Sequence, residues 1–388
     1  MVNIEIKKGV YFVGVKDPKR KLFDSLIPLP KGTTYNSYLV KGKDKTALVD
    51  TVNPGFENQL IDHIAAVTEV GKIDYLIMNH AEPDHAGAIP FIMKSSKATL
   101  ITTEKGADMA KKYHGVSEKR IKVVKNKDKI SLGGKTLEFI EAPWLHWPET
   151  MFTYLIEDKV LFSCDFFGSH TAVGFFAEDA KDLISDAKRY FGEIMMPFRI
   201  MGAKALEKIE GLDIQMIAPS HGPIYKDPGK IIKLYKEWTS AKTKKKVIVV
   251  YATMWNSTEK MVQSMIDTLV KEKIEVCSYN IANSDIGDIA EDLVDSRGIV
   301  LGSPTVLGSI HPIALHALNL VKALRPPAKY AAFLNSYGWG PSTKVVADAL
   351  SNTQIEIVGV VEANWVPKKE DLLKIRKLGK SLAQKIKE

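Results

Sequence analysis

Residues 74–85 read DYLIMNHAEPDH, and this stretch decides how the rest of the chain is to be read. DYLIMN is an apolar run of strand type. Directly after it stand His80, Glu82, Asp84 and His85, four groups able to bind a metal within six residues. They can converge only if the backbone turns round a common point, and Pro83 favours that turn. Divalent cations need several imidazoles and carboxylates held at about 2.0–2.2 Å. With 9 His and 46 Asp+Glu in 388 residues, H-x-[DE]-x-[DE]-H is expected by chance in roughly 0.003 of such chains. A hydrated polar loop is the plain alternative, and that frequency weighs against it.

The same pattern recurs further along. His146 stands in APWLHWPET after the strand-like TLEFIEAP, Asp165 ends KVLFSCD, and His221 ends IQMIAPSH. A single histidine at a strand end is usually a surface or capping residue; recurrence at four strand ends reverses that weighting. Three carboxylates and four imidazoles without a thiolate make a hard, oxygen-rich set that suits redox-active iron better than zinc. Cys164, beside Asp165, should point to the opposite side of a regular strand. Trp144, Trp147, Phe166, Phe167 and His170 adjoin the candidate ligands in sequence.

Around these motifs the composition is that of a folded protein, with 45% hydrophobic and 26% charged residues, which excludes collagen, low-complexity arrays and disordered tails. Two cysteines cannot staple 388 residues, so Cys164 and Cys277 read as reduced thiols. The N-terminus lacks the apolar segment of a signal peptide, and no run of about 18 apolar residues indicates a membrane span. Together these point to a cytoplasmic protein. The net charge of +8 is spread in short lysine runs, without the basic and aromatic interleaving of a nucleic-acid module.

The chain changes character near 240–246, a short charged segment that reads as a linker between residues 1–246 and 247–388. Residues 1–246 carry two strand-rich groups with helices between and after them, which predicts an α+β sandwich of two sheets covered by helices. From VIVVYAT (247–253) onward, apolar strands and amphipathic helices alternate in five pairs, predicting a doubly wound parallel sheet. Its first strand–helix turn is Thr253-Met254-Trp255-Asn256-Ser257-Thr258, whose hydroxyls and helix N-terminus suit a phosphate. Asn256 tolerates a left-handed backbone where a glycine is frequent. Ser303-Pro304-Thr305-Val306-Leu307-Gly308 is read as a loop after the third strand, and Asn335-Ser336-Tyr337-Gly338-Trp339 as one after the fourth. Such loops surround the crevice where ligands bind. Trp255, Tyr337 and Trp339 can flank a flat ring, and the absence of G-x-G-x-x-G favours FMN over a dinucleotide.

HxHxDH followed by a later His, an Asp and a last His marks the metallo-β-lactamase fold. With Glu82 in place of the second histidine, and a second half that resembles a flavodoxin, essentially the whole chain resembles the flavodiiron proteins. The resemblance implies one iron held by His80, Glu82 and His146, a second held by Asp84, His85 and His221, and Asp165 bridging them. It also implies reduction of O2 to water or of NO to N2O, with electrons passed through FMN from rubredoxin or F420H2. Assembly would be a head-to-tail homodimer or a dimer of dimers, in which each flavin faces its neighbour's irons. Two other classes compete: a di-zinc hydrolase of the same fold with an accessory flavodoxin-like domain, against which Glu82 argues, and a pure electron carrier, which leaves seven aligned ligands unexplained.

Overall fold

The computed structural model describes residues 4–388. The chain separates into two compact units, Met1–Tyr190 with Phe198–Lys236, and Phe191–Pro197 with Glu237–Glu388. In the first unit, Ile4–Lys7, Val10–Phe12, Tyr38–Lys41, Thr46–Val49, Tyr75–Ile77, Thr99–Thr102 and Ile121–Val123 form a seven-stranded sheet in that order. A second sheet orders Lys129–Ser131, Thr136–Glu141, Met151–Leu155, Val160–Phe162 and Met216–Ala218.

Period-two alternation sets the layers. Val40, Ala47, Ile77 and Ile101 join Phe139, Leu155 and Phe162 of the second sheet in one core. Their neighbours Leu39, Leu48, Leu76 and Leu100 turn the other way, packing with Leu60 and Ile64 of helix Glu57–Ala65 and Ile92 of helix Ile89–Ser95. The result is the expected sandwich. A feature the sequence analysis did not anticipate is a small hairpin, Leu22–Phe23 with Ile27–Pro28. It turns through Asp24 and Ser25, both with positive φ (49° and 55°), the conformation that suits a tight hairpin.

In the second unit five parallel strands stand in the order Glu275–Asn280, Lys244–Tyr251, Ser296–Val306, Tyr330–Tyr337 and Glu356–Asn364. This is the flavodoxin-type doubly wound order, second-first-third-fourth-fifth. Helices Ser257–Lys271 and Lys369–Lys387 cover one face, with Met261, Met265 and Leu269 meeting Ile375, Leu382 and Ile386 at helical spacing.

Two sequence expectations change here. Residues 244–246 are not linker but the start of the unit's first strand, Lys244–Tyr251, which lies second in the sheet. Lys246 is 2% exposed, its ammonium lying 3.0 Å from Asp292 and in contact with Asp295. A lysine run thus reads as solvated until the two carboxylates that neutralise it are known. The Ser303–Gly308 segment is likewise not a free loop: strand Ser296–Val306 continues into an antiparallel pairing with Ser309–Ile310 across a tight turn at Leu307 and Gly308. Among the described residues no helix is long and apolar enough to cross a membrane.

Removing one member of a buried ion pair strands the others. Lys246→Met should therefore lower the stability of the second unit by about 3 kcal/mol, read from its denaturation midpoint, and adding Asp295→Asn should recover part of that loss.

Candidate metal centre and flavin cleft

The HAEPDH segment leaves strand Tyr75–Ile77 and folds into one helical turn, Pro83–Ala86, with Pro83 at its first position. Asn79 fixes the exit. Its backbone N–H and its side-chain amide donate to Asp50 (2.8 and 3.0 Å), and its side-chain oxygen accepts from Thr153 (2.7 Å). Burial raises the Asp50 acid to about 6, which the bonds from Asn79 and nearby histidines only partly offset. At the far side, Asn36 and Tyr38 donate to the Pro219 carbonyl (2.8 and 2.7 Å), and Asn36 also donates to that of Gly222 (2.8 Å), holding the His221 loop. Gly222 has φ +77, and a Cβ there would come within 2.1 Å of the Ser169 hydroxyl, so the turn after His221 requires glycine.

The structure brings all seven sequence-predicted ligands together in two nests. In the first, Glu82 Oε2 lies 3.2 Å from His80 Nε2 and 3.1 Å from His146 Nε2. In the second, Asp84 carboxylate oxygens lie 3.4 Å from His85 Nε2 and 3.1 Å from His221 Nε2. Asp165 stands between the nests: Oδ2 is 3.6 Å from both His80 and His146, and Oδ1 is 3.0 Å from His85 and 3.4 Å from His221.

Burial opposes charge on His80, Glu82, His85, His146 and Asp165, yet their contacts outweigh it. Hydrogen bonds to Glu149 and Glu82 lift His80 to about 10. The Asp165 and Asp84 charges lift His85 to about 9, and the Asp165 and Glu82 carboxylates lift His146 to about 10. Conversely, Glu82 and Asp165 are held well below the usual carboxylate range. The centre calls for positive charge at the points where the imidazole nitrogens meet the carboxylates. Both Asp84 oxygens, both His85 nitrogens and Asp165 Oδ2 are buried without a hydrogen-bond partner, as donor atoms reserved for cations would be. The donor set fits two metal ions, and bound metal would displace the protons the imidazoles otherwise hold.

Sequence reasoning missed the supports behind these ligands. His80 Nδ1 meets Glu149 Oε1 at 2.6 Å, and the same oxygen accepts from the Ala81 N–H (2.8 Å). His221 Nδ1 meets the Thr34 carbonyl at 2.6 Å. Tyr190 donates from its hydroxyl to Asp165 Oδ1 (2.9 Å). Only the Thr34 support carried a local signal, polar residues inside the otherwise buried stretch TTYNSYL. Cys164 corrects the strand argument: Val160–Phe162 ends before it, the backbone turns at φ +51°, and the thiol lies within 4.8 Å of donor atoms of His85 and Asp165. Burial, then the Asp165 charge, push that thiol far up and keep it neutral, a poor ligand state. His170 packs its ring 4.8 Å from that of His221 and bonds through Nδ1 to Thr33 (3.0 Å); burial, then the neighbouring His221, keep it neutral. Trp147 packs edge-on to His80, while Phe166 and Phe167 belong to the core.

In the second unit a cleft of about 520 Å³ opens at the carboxyl ends of the strands, lined by Thr253, Met254, Trp255, Ser257, Thr258, Pro304, Thr305, Ser336, Tyr337, Gly338 and Trp339. Trp365 and Val366, unnoticed in sequence, complete it, with the Trp339 and Trp365 rings 5.4 Å apart. Asn256 caps helix Ser257–Lys271 in the left-handed region (φ +64). Ser303 instead bonds the His311 N–H (2.9 Å) to support the wall, and Val306 and Leu307 lie in the hairpin, with Leu307 fully exposed. The Thr253 hydroxyl is buried, unpartnered and at the mouth of the helix, so the cleft fits a phosphate-bearing flat ligand.

The chain resembles known proteins over its whole length. Residues 33–222 match the family described as ODP family beta lactamase. The chain is 38% identical to a nitric oxide reductase of Moorella thermoacetica, over 99% of this chain and 98% of that one. It is 35% identical to a coenzyme F420H(2) oxidase of Methanocaldococcus jannaschii, over 99% and 97%. The rubredoxin oxygen:oxidoreductase of Desulfovibrio gigas superposes with a TM-score of 0.96 at 30% identity, covering 100% of this chain and 99% of that one. Likeness of this degree, over essentially the full length of each chain, means that the chain belongs to the flavodiiron protein family.

Proposed function

We propose that this protein reduces O2 to water, NO to N2O, or both, at a di-iron centre, drawing electrons through FMN from an external donor. The observation that carries this reading is the pair of buried nests joined by Asp165, with donor atoms that no protein group satisfies. One iron would be held by His80, Glu82 and His146, the other by Asp84, His85 and His221, with Asp165 between them; FMN would lie in the cleft bounded by Thr253–Thr258, Pro304–Thr305, Ser336–Trp339 and Trp365. Bound iron supplies a site for a diatomic oxidant and electrons to reduce it, and FMN supplies them one at a time.

The chain's own residues set the conditions for that chemistry. A mouth of about 440 Å³ reaches the ligands past Arg20, Phe23, Asp24, Tyr113 and Trp147, wide enough for a diatomic molecule. Phe23 seals one wall against the rings of His170 and His221 (4.7 and 6.3 Å). Both reductions consume protons. Asp24, at the mouth, binds a proton more readily than an ordinary carboxylate because of burial and the Glu82 and Asp84 charges. Tyr190, whose hydroxyl burial keeps protonated, donates to Asp165 Oδ1 and so holds that carboxylate between the two nests.

Around the flavin cleft, Trp255, Trp339 and Leu307 are 87%, 94% and 100% exposed, an apolar rim that a second copy of the chain would cover. Such a head-to-tail dimer, with rubredoxin or F420H2 as donor, completes the reading.

The direct test is anaerobic stopped-flow of the reduced, iron- and FMN-loaded protein against O2 and against NO. Rapid flavin reoxidation by at least one of them is expected; none by either would refute the assignment. Asp165→Ala should lose iron and turnover while keeping FMN, measured by elemental analysis and absorbance. For the flavin, Thr253→Ala should weaken FMN binding more than Thr258→Ala, because the Thr258 hydroxyl is already engaged by Ser336 (2.8 Å). For the dimer, mixing equal amounts of iron-free His85→Ala with an FMN-free cleft variant should restore about one quarter of wild-type activity.

A further inference from the structure

The two nests present the same inner ligands: each has two imidazoles, one carboxylate of its own and a share of Asp165. What lies behind those ligands is not the same. His80, in the first nest, is backed by the buried Glu149 carboxylate at 2.6 Å, whose second oxygen meets no hydrogen-bond partner. Among the described residues no carboxylate is hydrogen-bonded behind the second nest: His221 is backed by the neutral Thr34 carbonyl at 2.6 Å, and His85 Nδ1 meets no partner, the buried Asp50 carboxylate reaching His85 through its charge alone. The shared Asp165 is biased in the same sense. Tyr190 donates to Oδ1, the oxygen facing His85 and His221, whereas Oδ2 facing His80 and His146 is free of any donor.

A negative charge behind an imidazole strengthens it as a ligand and stabilises a more highly charged metal. A hydrogen bond given to a carboxylate oxygen draws electron density from it and has the opposite effect. We propose that Glu149 and Tyr190 act as positioning residues, through His80 and Asp165, that make the two metal positions electronically unequal. The position held by His80, Glu82 and His146 favours the ferric state, and the position held by Asp84, His85 and His221 favours the ferrous one. The iron part of this inference rests on the di-iron reading above; the inequality itself rests on the residues.

The two residues act from opposite ends, which makes the idea testable without turnover. In EPR-monitored redox titration of the iron- and FMN-loaded protein, wild type should show two separated one-electron steps with a mixed-valent signal between them. Glu149→Gln should move the lower step upward and leave the upper one in place; Tyr190→Phe should move the upper step downward and leave the lower one. Each variant should thus narrow the mixed-valent window. Steps that move together, or not at all, overturn the proposal. Zn²⁺ titration of the metal-free protein supplies a second measurement: Glu149→Gln should weaken one of two binding events by about 10–100-fold and spare the other. Equal weakening of both, no weakening, or a Glu149→Gln chain that does not fold also overturns it. If wild type binds two Zn²⁺ but holds no iron pair, the functional reading fails while the zinc titration still decides the inequality.

Discussion

Three carboxylates, Glu82, Asp84 and Asp165, share one buried pocket. Like charges at this range in a low-dielectric interior are tolerated only when positive charge sits among them. That single demand explains the inward-facing imidazoles, the polar bonds that hold Asn79 and the His221 loop, and the raised affinity of three histidines for protons. The sandwich meets it by ending several strands at one place, so that loops with little else in common deliver their side chains to a common point.

Much of this was legible in the sequence, because ligand chemistry restricts residue type at fixed positions along the chain. His80, Glu82, Asp84 and His85 are local, and their density alone marks a site. His146, Asp165 and His221 each follow an apolar run of strand type, which puts them where strands end. The layers were legible from the order of elements, two strand-rich groups with helices between and after them; which side chains of KTALVD and DYLIMN meet the neighbouring sheet and which the helices is seen only in the structure.

What stayed hidden depends on contacts between residues distant in sequence. Nothing local distinguishes Glu149 from any other acidic residue near a strand, nor Tyr190 from any other aromatic at the end of a helix. Their partners lie 69 and 25 residues away. The Asp24–Ser25 turn was hidden for another reason: it uses positive φ without glycine, so the usual punctuation is missing. Ser303 looked like a ligand-binding hydroxyl because serine in a loop after a strand serves either purpose, and only its bond to the His311 N–H separates them.

The lysine run at the start of the second unit bears on how the molecule can be taken apart. A fragment begun at Val247, where the apolar pattern starts, would lack the ammonium that lies between Asp292 and Asp295. It would also lack Phe191–Pro197, whose Gly192 packs tightly against the Ala290 carbonyl of the same unit. The flavin-type half is therefore discontinuous along the chain, and no single cut releases it whole. Gene fusion, domain exchange or limited proteolysis that treats the two halves as beads on a string would leave one of them missing a piece of its own wall.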